Sequence, residues 1–176
     1  MHPAWYDPDM NETSASSLCR SCGLCCNGSL FAWVELRPGE LDPIEALGVH
    51  VFRSDPNEKG FSQPCPLWKG ECTIHETPHY PHSCRAYNCK LLKEVIAEKE
   101  SLPHALSVVQ QAKEMIRQVD ALLPASANTN FRERLVAELE ENEGTDPELR
   151  RKADALLNFY KDVFGVNDLV ELQDEN

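Results

Sequence analysis

The stretch CRSCGLCCNG, residues 19–28, constrains this chain more than any other, because it places four cysteines within eight positions. All eight cysteines of the 176-residue chain lie between Cys19 and Cys89, and residues 90–176 contain none. Crowded thiolates repel one another, so such a set needs cations or covalent pairing. The N-terminal residues carry no basic and apolar segments of a secretory signal, so we expect a cytoplasmic protein. In that compartment a cysteine cluster more often binds metal than forms disulfides, although disulfides and free redox-active thiols remain alternatives.

The first three cysteines follow the spacing Cys19-x2-Cys22-x2-Cys25. This spacing locally resembles the C-x2-C-x2-C opening of bacterial ferredoxins, and Cys65-Pro66 offers the later Cys-Pro of that pattern. Consecutive side chains point in different directions, so Cys25 and Cys26 are not expected to share one mononuclear site. We hypothesise that the doublet ties two metal centres together, or gives one sulfur to a cluster and leaves the other reactive.

A second group of cysteines spans residues 65–89. A hairpin turn at Lys69-Gly70 is predicted to bring the first two of these cysteines opposite each other, and the last two are predicted to span about one turn at the start of a helix. His75, His79 and His82 lie among them and could complete a site. The predicted metal ligands are Cys19, Cys22, Cys25, Cys26, Cys65, Cys72, Cys84 and Cys89. The metal is an iron–sulfur cluster or Zn²⁺, and the triple spacing favours iron–sulfur.

The pattern of strands, turns and helices predicts an α+β fold. A small metal-organised cysteine-cluster module with short strands (18–100) is followed by an α-helical C-terminal extension (101–165), between a flexible leader (1–17) and a tail (166–176). Within the module we expect a strand at 29–36, a short helix at 38–48, a further strand pair at 48–54 and 60–64, and a long helix at 84–100.

The extension carries clear helix signals. Ser101 is the predicted N-cap of a helix with Pro103 in its first turn and Pro124 beyond its end. A second helix is predicted at 130–143. Thr145 and Glu148 form a predicted capping box for a third helix, which Gly165 ends. The first helix carries a seam of apolar residues in 3-4 spacing, which predicts either core packing or an interface with a second copy or another protein partner: Leu102, Ala105, Val109, Ala112, Ile116, Val119 and Leu123.

Charge and composition exclude some functions. Lys and Arg total 17 against 29 Asp and Glu, a net charge of −12, which disfavours nucleic acid as a partner. No apolar run approaches the roughly 20 residues that span a bilayer, so no membrane partner is expected. No glycine-rich phosphate loop or evident general base is present, so no catalytic residue and no nucleotide cofactor site is identified.

The cysteine pattern as a whole resembles the CxxCxxCC cysteine-cluster (YkgJ-like) family of zinc- or iron-chelating domains. The resemblance covers about 75 residues and places every cysteine: the opening quartet 19–26, Cys65-Pro66, Cys72 before Ile74-His75, and the closing Cys84-Arg85-Ala86-Tyr87-Asn88-Cys89. The family usually has Arg-Pro shortly before the closing motif, where this chain has Tyr80-Pro81.

The resemblance implies metal chelation. It also extends distantly to the flagellin lysine-N-methylases, which implies an iron–sulfur-dependent group-transfer enzyme as an alternative. A structural zinc module for protein interaction, a metal carrier and a thiol sensor are further alternatives. Whether the protein is an enzyme is left open by the sequence.

Overall fold

The computed structural model describes residues 13–54, 58–127, 130–141 and 144–167. Most of the predicted leader and tail, and the last two residues of the predicted helix 130–143, lie outside the described residues. The fold is α+β: the described residues form several helices and one small two-stranded antiparallel sheet. None of the described helices is long and apolar enough to cross a lipid bilayer.

The cysteine-bearing half of the chain contains short elements. They are helix α1 (Ser14–Cys22), strand β1 (Trp33–Glu35), a 3₁₀ turn (Pro38–Glu40), helix α2 (Leu41–Ala46), strand β2 (Gly60–Ser62), helix α3 (His82–Ala86) and helix α4 (Lys90–Ile96). Helix α1 begins inside the predicted leader. Thr13 caps it by accepting a hydrogen bond from the Ser16 amide, and Gly23 ends it with a left-handed φ of 76°.

The predicted strands are shorter and pair differently from the expectation. Strand β2 pairs with β1, with Val34 opposite Phe61, whereas segment 48–54 contributes only an isolated bridge between Phe52 and Gly60. Glycine is required at position 60, where β2 pairs with β1, because a Cβ on Gly60 would lie 1.9 Å from the carbonyl oxygen of Val34. The predicted short helix at 38–48 is confirmed as the 3₁₀ turn and α2.

The predicted continuous helix at 84–100 is wrong. Helix α3 ends at Ala86, Tyr87 takes an extended conformation with ψ 120°, and Cys89 then becomes the N-cap of α4. The Cys89 sulfur accepts a hydrogen bond from the Leu92 amide at 3.4 Å. Helix propensity alone favours a continuous helix here, but the break turns Tyr87 and Cys89 toward the interior of the protein.

The C-terminal half is helical, as expected. It contains α5 (Leu102–Asp120), α6 (Phe131–Glu141), α7 (Pro147–Phe159) and a π-helical turn (Tyr160–Phe164) that Gly165 ends with φ 70°. Ser101 caps α5 as predicted. The prediction of Thr145 as the cap of α7 is wrong: Asp146 accepts from the Glu148 amide, while the Thr145 hydroxyl donates to the Glu138 carbonyl.

Two apolar cores hold these elements. The helical core joins α1, α4, α5, α6, α7 and the π-helical turn, and the sheet core joins β1, β2 and α2 with neighbouring loop residues. The α5 seam residues Ala105, Val109, Ala112 and Val119 are buried in the helical core, where α5 packs against α1 and α7. Packing within one chain therefore accounts for most of the apolar residues of the seam.

The side chain of Asn130, 1% exposed, fastens α6 to the cysteine-bearing half. Its amide donates to the carbonyls of Ala32 and Gln63, both at 3.1 Å, and its oxygen accepts from the Glu133 amide. Arg132 adds a 2.7 Å bond from its guanidinium to the Leu30 carbonyl. Buried carbonyls that lose a donor carry a full desolvation cost, so this junction stabilises the loops on both sides of it.

We predict that Asn130→Ala lowers the free energy of unfolding of the reduced protein by about 2 kcal/mol, because buried carbonyls lose their donor. Urea denaturation followed by circular dichroism measures it. The matched control is Asn158→Ala, at an exposed position of α7, which should stay within about 0.5 kcal/mol of the wild type. Equal effects of the two substitutions would contradict this role for Asn130.

Candidate metal centre

All eight cysteines line one cavity between the two cores. The cavity has a volume of about 300 Å³. Apart from the sulfurs, its wall is mostly apolar and includes Leu24, Leu30, Phe31 and Val34, with Glu35 as the sole charged residue of the lining. The fold therefore brings together all the ligands that the sequence predicts, from segments up to 70 positions apart.

The opening cysteines reach the cavity through a helix and the turn that follows it. Cys19 and Cys22 lie on the last turn of α1, and the left-handed Gly23 reverses the chain so that Cys25 and Cys26 follow in a tight loop. A Cβ on Gly23 would lie 2.2 Å from the Trp68 ring, so glycine is needed both for its φ and for this close approach.

The segment from Cys65 to Cys72 closes the opposite wall. The Cys65 amide donates to the Cys26 carbonyl at 2.7 Å, and the Cys72 amide donates to the Arg20 carbonyl at 3.0 Å. Trp68 and Cys72 form an antiparallel bridge around Gly70, whose φ is 90°, so the predicted hairpin turn is present, but the residue opposite Cys72 is Trp68 and not Cys65 as predicted. These backbone bonds fix the later cysteines against the opening loop.

The last two cysteines occupy different elements. Cys84 lies within α3 and Cys89 caps α4, so they do not share the helical turn that the sequence predicts. Between them, the Tyr87 ring lines the cavity and packs edge-on against Phe31, with ring centroids 4.9 Å apart.

The eight side chains are free thiols, each partly or largely shielded from water. Burial raises the pKa of every one of them above its ordinary value, and raises those of Cys22 and Cys84 to about 12. Neighbouring thiolates add to this effect on the pKa at six of the eight positions. At neutral pH these thiols are therefore protonated, and only a bound cation can compensate the charge of several thiolates here.

The donor set fits a metal group by its chemistry, although its sulfurs are spread over the cavity wall. Among the described residues, no three His, Cys, Asp or Glu side chains converge closely enough to hold an ion as they stand. Four thiolates around one zinc ion must lie about 2.3 Å from it, whereas the ligands of an iron–sulfur cluster bind separate irons and lie further apart.

A buried amide gives a second indication that the cavity takes an occupant. Gln63, 5% exposed, lines the cavity, and its side-chain oxygen has no hydrogen-bond partner among the described residues. Buried polar atoms of this kind normally have a partner.

The three histidines lie outside the cavity lining. His79 and His82 are exposed, and the His75 ring lies against Tyr80 with ring centroids 5.0 Å apart. Tyr80 is the residue that sequence reasoning did not select: its hydroxyl lies 4.0 Å from the Cys19 sulfur and donates to the Cys84 carbonyl at 3.3 Å. The sequence signal that could have pointed to Tyr80 is the Tyr80-Pro81 pair, which stands where the family usually has Arg-Pro. No pattern in the sequence points to Gln63.

A second hollow of about 320 Å³ adjoins the cysteine cavity. We call it the polar groove, and its polar lining residues are Ser16, His75, Glu76, Arg85 and Asn88. Five residues line both the groove and the cavity: Cys19, Tyr80, Cys84, Tyr87 and Leu92. The Arg85 guanidinium lies 5.9 Å from the Tyr80 ring centroid and donates to the carbonyls of Thr77 and Tyr80 at 3.4 Å.

Comparison of the chain with protein-family models, with curated proteins and with solved structures found no match. The geometry of the cavity therefore carries the functional argument.

Substitutions of Gly23 and Gly48 test whether the close approach of Trp68 to Gly23 requires a glycine. Both have a left-handed φ, 76° and 87°, but an added Cβ would strike Trp68 at Gly23 and would meet nothing within 4 Å at Gly48. We predict that Gly23→Ala lowers the free energy of unfolding by about 1–3 kcal/mol more than Gly48→Ala does, because overpacking adds to the backbone strain that both share. Urea denaturation of the reduced proteins measures the difference. Equal losses of unfolding free energy in the two variants would contradict the role of the close approach between Trp68 and Gly23.

Proposed function

We propose that this protein is a metal-binding cysteine-cluster protein whose eight cysteines hold iron–sulfur or zinc, with iron–sulfur favoured. The observation that carries the proposal is the single cavity lined by all eight free thiols. Ordinary apolar packing would not gather eight sulfurs, drawn from one half of the chain, around one hollow. The proposal agrees with the chelating role that the CxxCxxCC resemblance implies.

The energetics support the same function. Burial holds the thiols protonated when no cation is present, so binding a metal must displace protons and is coupled to pH. An iron–sulfur cluster, when bound, supplies one-electron redox chemistry, whereas zinc supplies a closed structural cross-link. The chain itself contributes the eight sulfurs, the Gln63 amide and an apolar wall that limits the access of water.

The spread of the sulfurs favours the iron–sulfur alternative. A cavity of about 300 Å³ is larger than one ion and its immediate ligands need, and the triple Cys-x2 spacing matches the ligand spacing of a cluster. Two zinc sites would require the sulfurs to draw together from their places on the wall.

Metal analysis of the protein purified without oxygen tests the proposal. We expect iron and inorganic sulfide in similar amounts, with broad visible absorption, and loss of colour on exposure to air. Stoichiometric zinc in a colourless solution would support a zinc module instead. Neither metal, with or without oxidised cysteines, would overturn the proposal.

An iron–sulfur-dependent enzyme, such as one related to protein lysine methylases, is the second candidate. The polar groove favours it, because this groove shares Cys19, Tyr80, Cys84 and Tyr87 with the cysteine cavity and offers polar side chains beside it. A substrate in the groove would lie next to the sulfurs on that side.

If the second candidate holds, a cluster should have an iron with a non-thiolate position that small molecules reach through the groove. We then expect added cyanide to change the electron paramagnetic resonance spectrum of the reduced, iron-loaded protein. Fully thiolate-ligated clusters offer no such position. An unchanged spectrum would contradict this candidate and leave the metal-binding proposal standing.

A further inference from the structure

The eight thiols face the two cores unequally. Cys19, Cys22, Cys25 and Cys89 pack against the helical core. Cys65 and Cys84 pack against the sheet core, and Cys26 and Cys72 belong to the packing of neither. Cys25 therefore packs against the helical core, whereas its chain neighbour Cys26 does not.

The thiols that lie near one another divide along the same line, with Cys19 close to both groups. Cys72, Cys65, Cys84 and Cys19 are the thiols that lie near Cys26. By contrast, the thiols that act on Cys25 beyond its chain neighbour are Cys22, Cys89 and Cys19. Cys22 likewise lies near Cys89 and Cys19, and Cys84 lies near Cys65, Cys72 and Cys19.

The backbone reinforces the second group. The Cys65 amide donates to the Cys26 carbonyl, the Trp68 amide donates to the Cys65 carbonyl at 3.1 Å, and Trp68 is bridged to Cys72. Cys26, Cys65 and Cys72 are thus held by one short network of backbone bonds. Cys84 joins them from α3, which packs against β1.

Four thiolates per centre is the number that both candidate metals use, in a Cys₄ zinc site and in a [4Fe–4S] cluster. We propose that the cavity holds two separate four-thiolate metal centres that meet at the Cys25–Cys26 peptide. The helix-side centre uses Cys19, Cys22, Cys25 and Cys89, and the sheet-side centre uses Cys26, Cys65, Cys72 and Cys84. This proposal rests on the metal-binding function proposed above and fixes the number of centres and the ligands of each.

The two centres differ in what surrounds them. Tyr87 lies beside the helix-side thiols Cys25, Cys89 and Cys22. Tyr80 lies between the centres, because its hydroxyl contacts the Cys19 sulfur of one and the Cys84 carbonyl of the other. Cys19 is the helix-side ligand nearest the boundary, since the sheet-side thiols Cys72, Cys26 and Cys84 also lie near it.

Paired substitutions distinguish two centres from one shared cluster. Cys22→Ala with Cys89→Ala removes two helix-side ligands, and Cys65→Ala with Cys72→Ala removes two sheet-side ligands. Each of these pairs should retain about half of the metal per chain that the wild type carries, because the other four-thiolate site is complete. The cross pair, Cys22→Ala with Cys65→Ala, should retain almost none. Elemental analysis after purification without oxygen measures the retained metal.

Ser83→Ala is the matched control, because Ser83 lines the same cavity next to Cys84 but carries no sulfur. It should keep the full metal content. Equal loss from within-centre and cross-centre pairs would overturn the partition. A wild type without metal would instead overturn the metal-binding function, so the two failures are distinguishable.

A measurement on the wild type alone covers the case in which the variants do not fold. Native mass spectrometry during titration with a chelator should show an intermediate that carries half of the metal, because two separate sites lose their metal in separate steps. Passage from fully loaded to empty protein without this intermediate would overturn the proposal.

Discussion

The cost of burying eight thiols in one place is the constraint on which the rest of this structure depends. Each thiol is shielded from water by one of the two cores or by the loops between them, and its pKa is raised by that burial. Without a cation the group is stable only as neutral thiols. A bound metal would join chain segments that lie far apart in the sequence, because its thiolate ligands would come from different elements.

The helices serve this arrangement as a frame. Helix α5 packs its small residues against α1 and α7, which holds the last turn of α1, and with it Cys19 and Cys22, in place. Asn130 and Arg132 then bond the start of α6 to the carbonyls of residues 28–32 and 63. The helical half therefore positions the cysteine loops directly, because Leu24 and Leu30 of those loops are buried in the helical core. The polar groove adjoins the cavity and is lined by polar side chains.

Much of the fold could be predicted from local signals. Ser101 caps α5, Gly165 ends the π-helical turn and 38–48 forms a short helix, since capping and turn preferences depend on neighbouring residues. The errors arose where tertiary contacts override propensity. The helix predicted at 84–100 breaks at Tyr87 because Tyr87 and Cys89 face the cavity. Strand β2, the predicted partner of segment 48–54, pairs with β1 instead. Asp146 rather than Thr145 caps α7, because the Thr145 hydroxyl is used by the Glu138 carbonyl.

The sequence by itself determined the set of predicted ligands, because cysteine identity and Cys-x2-Cys spacing limit which side chains could reach one centre. It also determined the helical second half, through the apolar periodicity of α5 and α7. Only the tertiary structure decided that all eight sulfurs meet in one cavity, and that the histidines among them stay outside its lining. It alone shows which cysteines pack against which core, because those contacts join segments far apart in the chain.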